Sequence, residues 1–366
     1  MVNKGNWAQP CRSLPSSKGE IIMHMADALL SPAVGASIWA GSMVVIGYSS
    51  RKLKENIDNK TIPLMGVMGA FIFAAQMINF TIPGTGSSGH LGGGMILAAI
   101  LGPYAAFLVM ASVLTVQALF FADGGLLALG CNIWNLGIYP CFVVYPLIYK
   151  PIAGDGKNTR RLSLAAIVSA LFALQLGAFS VVLETLLSGK SELPFGTFVL
   201  LMQPVHLAIG LVEGIVTAGI INYVKKARPE ILQSSASSRP LETGISVKNV
   251  LVVFAILAVM TGGVLSWFAS THPDGLEWSI EKVTGRGTLA EQMQGINPAL
   301  KEIQKQTAFL PDYNFKSAAK EEAKGNEVTA WPDIHAGTSA SGIIGGGIVL
   351  MFICFIGFGI RFFKKH

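Results

Sequence analysis

Two histidines pose the first chemical question. His24 lies in MHMADALLSP, residues 23–32, and His90 lies in PGTGSSGHLGGG, residues 83–94. If the chain begins at Met23, three nitrogens there can close chelate rings on one metal ion: the free α-amine, the backbone nitrogen of His24 and the His24 imidazole. His90 would supply a fourth, and a planar set of nitrogens suits Ni(II) or Cu(II). The glycines beside His90 let its backbone approach closely without adding competing side chains. Taken alone, those glycines serve equally well as a tight turn and a helix-packing surface, with His90 at the water interface.

Other chemistries are excluded or poorly supported. GTGSSG, residues 84–89, matches the glycine fingerprint of dinucleotide folds, but a membrane span precedes it and no Asp or Glu occurs between His90 and Asp123. No GxxxxGK[ST] phosphate loop occurs, so the chain is expected to hydrolyse no ATP itself and to be no enzyme. An intramembrane metalloenzyme, holding zinc with an open coordination position, is the remote alternative. It finds no HExxH, and only Asp27 as a base near the histidines. No internal repeat points to a secondary transporter. Cys11, Cys131, Cys141 and Cys354 show no CxxC spacing and read as small apolar residues, with no resident cofactor implied.

The elements that must position the histidines are membrane spans. Of the 366 residues 51% are hydrophobic and 13% charged, and the apolar residues fall in long runs. A bilayer core takes roughly 20 helical residues to cross. Such runs read at 33–49, 61–80, 103–121, 126–149, 161–187, 195–224, 248–269 and 340–360, with a shorter apolar piece at 91–101 before Gly102-Pro103 that is either a short span or a re-entrant hairpin arm. Counting that piece as a span gives an all-α polytopic membrane protein of about nine transmembrane helices. The basic clusters Arg51–Lys60, Lys150–Arg161, Lys225–Arg228 and Arg361–Lys365 then share one side, the cytoplasm by the positive-inside bias. His24, the His90 loop and the segment 271–339 face outward. The net charge of +6 is therefore topological and implies no nucleic-acid partner.

Residues 1–22 lack an apolar signal region and read as a mis-annotated leader or a disordered extension. Lys18-Gly19-Glu20 can be encoded AAA GGA GAA, a ribosome-binding sequence at a typical distance from the Met23 codon. At the other end of the first unit, 229–247 carries the Ser, Pro and charge content of a flexible cytoplasmic linker.

Several polar residues are secondary candidates. His206 reads as a packed histidine bonding a neighbouring helix, with metal ligand as the alternative, and it shares a helix face with Glu213, a candidate hydrogen-bond partner. Glu184, near an outer helix end, is expected to be solvated. Asp27 is either an acceptor for the ligand imidazole or a backbone partner, while Asn79, Asn132 and Asn135 read as interhelical bonds or weaker partners of the ligands. His272 and Asp274 could meet incoming metal, although a Pro273-Asp274-Gly275 turn explains most of their segment. His335 and His366 read as exposed.

Three segments in order carry a resemblance: MHMADALLSP, AFIFAAQMINFTIPGTGSSGHLGGG at 70–94 and QALFFADGGLLALGCNIWNLG at 117–137. They resemble the CbiM/NikM substrate-capture components of cobalt and nickel energy-coupling factor transporters, over 23–228. SWFASTHPDGLEWSIEK, 266–282, is similar to the PDGLE segment of NikN-type accessory components, so 248–366 resembles a two-helix unit with an outer loop at 271–339. The whole therefore resembles a NikMN-type fusion. The resemblance implies a seven-helix unit that captures Ni²⁺, or alternatively Co²⁺ for cobalamin biosynthesis, through Met23, His24 and His90. It also implies a bacterial inner-membrane location, a NikQ/CbiQ-like transmembrane coupling subunit and a NikO/CbiO-like cytoplasmic ABC ATPase as partners. The usual FPxPGGTSGH pattern is FTIPGTGSSGH here, which puts the loop conformation in question but keeps the histidine.

Overall fold

The computed structural model describes residues 24–237, 239–241, 245–289, 295–315, 331–332, 334 and 336–364. Met23, the 1–22 segment with Cys11, His335 and His366 lie outside the described residues. The molecule is a helical bundle, and six of its helices are long and apolar enough to cross a membrane: α1 (Pro32–Asn56), α4 (Pro103–Phe120), α5 (Leu129–Ala153), α6 (Thr159–Leu187), α7 (Phe195–Ala227) and α12 (Ala336–Phe362). Two shorter apolar helices, α2 (Thr61–Gln76) and α9 (Lys248–Gly263), join them. The only described sheet is a hairpin in which Phe80–Ile82 pairs antiparallel with Ser87–Gly89.

The apolar piece counted above as a ninth span is too short to cross by itself. Its helix α3, Gly94–Leu101, has eight residues, seven of them buried, and at about 1.5 Å per residue covers less than half a bilayer core. Residues 90–93 carry no regular structure and complete the path from the hairpin. Non-helical backbone survives at such depth only where protein groups satisfy it. Here the Gln76 side chain donates to Gly92 O at 2.9 Å, and Glu213 accepts from the amides of Gly92 and Gly93 at 2.7 and 3.2 Å. The candidate His206–Glu213 bond is therefore absent: His206 Nδ1 instead faces its own helix at Met202 O, 2.8 Å away. One imidazole could satisfy one carboxylate oxygen, whereas the start of α3 offers Glu213 a cluster of amides.

Helix α5 widens to π geometry between Trp134 and Tyr149, around Pro140 and Pro146. Each proline lacks an N–H and crowds the preceding turn, and the wider turn accommodates both. Glu184 is not solvated as expected. It is buried, accepting from Asn135 Nδ2 at 3.0 Å and Ser180 Oγ at 3.2 Å.

The basic clusters meet at one end of the bundle. Lys225 Nζ reaches Lys157 O and Thr159 Oγ1, and Lys364 Nζ reaches Glu55 O at 3.0 Å. At this end Pro229–Ser237, read above as flexible connector, forms helix α8. Ile231 and Ser235 are buried, and Ser235 Oγ donates to Ala98 O of α3 at 3.3 Å. The apolar Ile231 gives this short helix a face to bury, which a Ser-rich composition conceals.

Helices α9 and α12 pack on each other and both pack on α2. The α9–α12 crossing is closed by glycine: a Cβ on Gly342 would collide with the backbone of Gly262. Small residues at such crossings let backbones approach and gain van der Waals contact in lipid. Gly342→Val is expected to cost about 1–3 kcal/mol by overpacking, seen as a lower melting midpoint of the detergent-purified protein; an unchanged midpoint would show that the crossing is not needed.

Candidate metal centre

At the opposite end, residues 24–31 fold into the bundle ahead of α1. Met25, Leu29 and Leu30 are buried, and a 3-10 turn runs over Asp27–Leu29. The strand of chain is held by its backbone. Met25 N donates to Asn132 Oδ1 at 3.1 Å, Asn132 Nδ2 donates back to Met25 O at 3.2 Å, and Gly125 N donates to the same carbonyl at 3.1 Å. Asp27 Oδ1 accepts from Ala128 N at 2.8 Å. Gly124 has φ of 79° and passes so close that a Cβ there would sit 3.0 Å from His24 Cβ. Both the left-handed backbone and the space demand glycine.

This clasp places His24, 4% exposed, against the His90 ring, with centroids 5.3 Å apart and planes inclined at 53°. The sequence separates the two histidines by two helices, α1 and α2, and the fold brings them together. His90 Nδ1 lies 3.1 Å from Leu91 O. A carbonyl only accepts, so Nδ1 carries the proton and the lone pair of the neutral ring is on Nε2. His24, His90, Asn132, Asn135, His206 and Asp274 line one cavity.

The carboxylate at the His24 ring is Asp123, from the turn between α4 and α5. Its Oδ2 is 3.0 Å from His24 Nδ1, and both groups are buried. Burial alone would neutralise the pair. Against that penalty, Asp123, with help from Asp274, raises His24 above its usual imidazole value, while His24 and the Tyr313 hydroxyl hold Asp123 below the usual carboxylate range. Asp123 is a site residue that the sequence reading missed. The available signal was its place as the first carboxylate after His90, at the outer end of a span.

The accessory loop also reaches the site. Ser88 N donates to Pro273 O at 2.8 Å, Ser88 Oγ to His272 O at 2.8 Å, and Ser88 bridges Asp274 in parallel fashion beside the hairpin that leads to His90. Asp274 caps α10 (Gly275–Thr284) by accepting from Glu277 N at 2.7 Å. Burial pushes its carboxyl up to about 7. The turn reading of Pro273-Asp274-Gly275 thus holds, and Asp274 lines the cavity as well. Asn79 ties the same loop through its carbonyl, which accepts from Ser270 N at 2.7 Å.

Residues 24–231 match the family model described as "Cobalt uptake substrate-specific transmembrane region", and 248–362 match the PDGLE domain. The chain belongs to this cobalt-uptake transmembrane family. It is 33% identical to the putative fused nickel transport protein NikMN of Archaeoglobus fulgidus, with 90% of this chain and 96% of that protein covered. It is 30% identical to the fused nickel transport protein NikMN of Rhodobacter capsulatus over 75% of this chain and 82% of that one. The cobalt transport protein CbiM of Sorangium cellulosum is 29% identical and corresponds to 57% of this chain. A NikMN-like fusion in the metal-uptake class is therefore shown, as the three sequence segments and the PDGLE stretch implied. In this cobalt-uptake family member the two matched regions abut at α2 and at the hairpin beside His90.

Proposed function

We propose that this protein is the substrate-capture component of an ATP-driven importer and that its substrate is Ni²⁺. The ligands are the α-amine of Met23, the backbone and imidazole nitrogens of His24, and His90. The observation that carries the proposal is the pair of imidazoles 5.3 Å apart at one end of a membrane bundle, one of them on a chain segment drawn inward by backbone bonds.

A chelate through the residue's own backbone nitrogen closes on Nδ1, the nitrogen that faces Asp123 without metal. A half-turn of the ring about Cβ–Cγ exchanges Nδ1 with Cδ2 and Nε2 with Cε1. That frees Nδ1 for the ion but leaves Cδ2 at the place facing Asp123; Nε2 takes the former Cε1 place next to it, and a shift of the carboxylate toward Nε2 lets it orient the metal-bound imidazole as well. Metal and proton compete for His24, so affinity falls as the medium acidifies.

In this reading 23–228 captures the ion, 248–366 is the accessory unit, and 229–247 joins them on the cytoplasmic side. The site faces outward and the C-terminus inward across a bacterial inner membrane, by the positive-inside bias. A NikQ/CbiQ-like coupling subunit and NikO/CbiO-like ATPases supply the energy. Planar nitrogen donors favour nickel, and relatives fused in the same way are named for nickel. Co²⁺ is the second reading, supported by the family description and the CbiM relative.

The test is metal content of purified chain starting at Met23, with both ions in competition. Nickel is expected to dominate, and neither ion bound would refute capture. Residues placed ahead of Met23 turn the amine into an amide, and a verified extended chain is expected to lose at least about tenfold in affinity, by analogy with losses from altered ligand surroundings. Parent-like binding by that chain removes the amine from the ligand set.

A further inference from the structure

We infer that Tyr313, within the PDGLE-domain region, positions the His24 imidazole by anchoring Asp123, so that the accessory unit sets the quality of the metal site. The inference rests on the reading of His24 as a ligand.

Helix α11 (Asn297–Thr307) and the segment after it lie across the α4–α5 turn. Gln304 Nε2 donates to Ala118 O at 2.9 Å and to Gly124 O at 2.7 Å. Leu310 N donates to Phe120 O at 3.3 Å and Asp312 N to Phe121 O at 2.9 Å. Phe309 packs on Phe120 and Phe121, with centroids 5.7 and 6.0 Å away. Two consecutive non-glycine residues, Asp312 and Tyr313, then take φ of 53° and 58°. Left-handed backbone at such residues persists only when the surroundings fix it, and here it turns Tyr313 into the bundle.

The Tyr313 ring is 5% exposed and stacks on Phe121 at 5.1 Å, edge-on to Phe73 at 6.1 Å. Its hydroxyl donates to Asp123 Oδ2 at 2.6 Å, the same oxygen that meets His24 Nδ1 at 3.0 Å. A buried carboxylate needs such donors, and an O–H to a charged oxygen is among the stronger ones. The Gln117 amide also reaches the Tyr313 hydroxyl, Gln117 donates to Gln76 Oε1 at 3.0 Å, and Gln76 donates to Gly92 O at 2.9 Å. Tyr313 thus closes a polar chain from His24 to the backbone two residues beyond His90.

Tyr313→Phe keeps the stacked ring and deletes the hydroxyl. With the full chain and Ni²⁺ alone as probe, the variant is expected to bind about 10–100-fold more weakly, the usual loss on removing a group that orients a metal ligand, with a metal-free melting midpoint lowered by the loss of one donor to a buried carboxylate. In a double-mutant cycle, Asp123→Asn combined with Tyr313→Phe is expected to bind no worse than Asp123→Asn alone, because both remove one linkage. Parent-like Ni²⁺ binding by Tyr313→Phe, losses that multiply in the double variant, or a lower metal-free midpoint with unaltered affinity each overturn the positioning role. His24→Ala is measured alongside: if it binds Ni²⁺ as the parent does, the ligand reading itself fails, whereas loss of binding there leaves the Tyr313 result to stand alone.

Discussion

His24→Ala and His90→Ala are each expected to reduce Ni²⁺ binding by more than about 100-fold, since disturbing only the partners of a metal ligand costs 10–100-fold. The two variants should differ in the empty protein. His24 is buried against Asp123, so its removal strands a buried carboxylate with one fewer donor and costs about 1–3 kcal/mol of metal-free stability. His90 is half-buried and its Nδ1 lies by the carbonyl of the neighbouring Leu91, so His90→Ala, which strands no buried carboxylate of its own, should melt closer to the parent than His24→Ala. Calorimetric Ni²⁺ titration and thermal melts in detergent read both quantities. Retained tight binding in either variant sinks the paired-imidazole site, and equal melting penalties would show that Asp123 is not held by His24.

Glu213→Leu is the second large effect. Glu213 accepts from Gly92 and Gly93 and also receives the Met95 amide. Those groups are the start of α3, where the amides of a helix's first turn have no partner within the helix and favour an anion. Leucine fills the space but leaves the amides buried without an acceptor, at about 1–3 kcal/mol each. The loop carrying His90 then loses its anchor. Expected outcomes are poor yield, a lower melting midpoint and at least about tenfold weaker Ni²⁺ binding. Glu213→Gln keeps one carbonyl acceptor and should recover most of the stability. Glu213→Leu that melts and binds like the parent would show that the α3 start is satisfied in another way.

The spans were legible because apolar runs and basic clusters obey bilayer physics, which acts on one-dimensional sequence. The pairing of His24 with His90 was legible for the same reason: an even number of crossings returns the chain to the same face. Local polar partnerships were not. His206 and Glu213 lie seven residues apart on one face, but a backbone amide cluster in another element outcompeted the imidazole for the carboxylate. Glu184 read as solvated from its place near a helix end, while Asn135 and Ser180 from the packed interior claim it. Asp27 was weighed evenly as an acceptor for the imidazole and as a backbone partner; its Oδ1 meets Ala128 N, and the turn after α4 brings a second carboxylate, Asp123, to the His24 ring. Tyr313 left no mark at all, since it lies in a polar stretch whose docking depends on tertiary contact alone.

The grip of the 304–313 segment on the α4–α5 turn uses two different currencies. At Leu310 and Asp312 the donors are main-chain amides and the acceptors are the carbonyls of Phe120 and Phe121, atoms that every residue except proline can offer on the donor side. Part of the register between the two regions is therefore written in peptide groups, which do not depend on the identity of the side chain that carries them. Gln304 and Tyr313 have no such latitude, because their contacts are made by the side chains themselves.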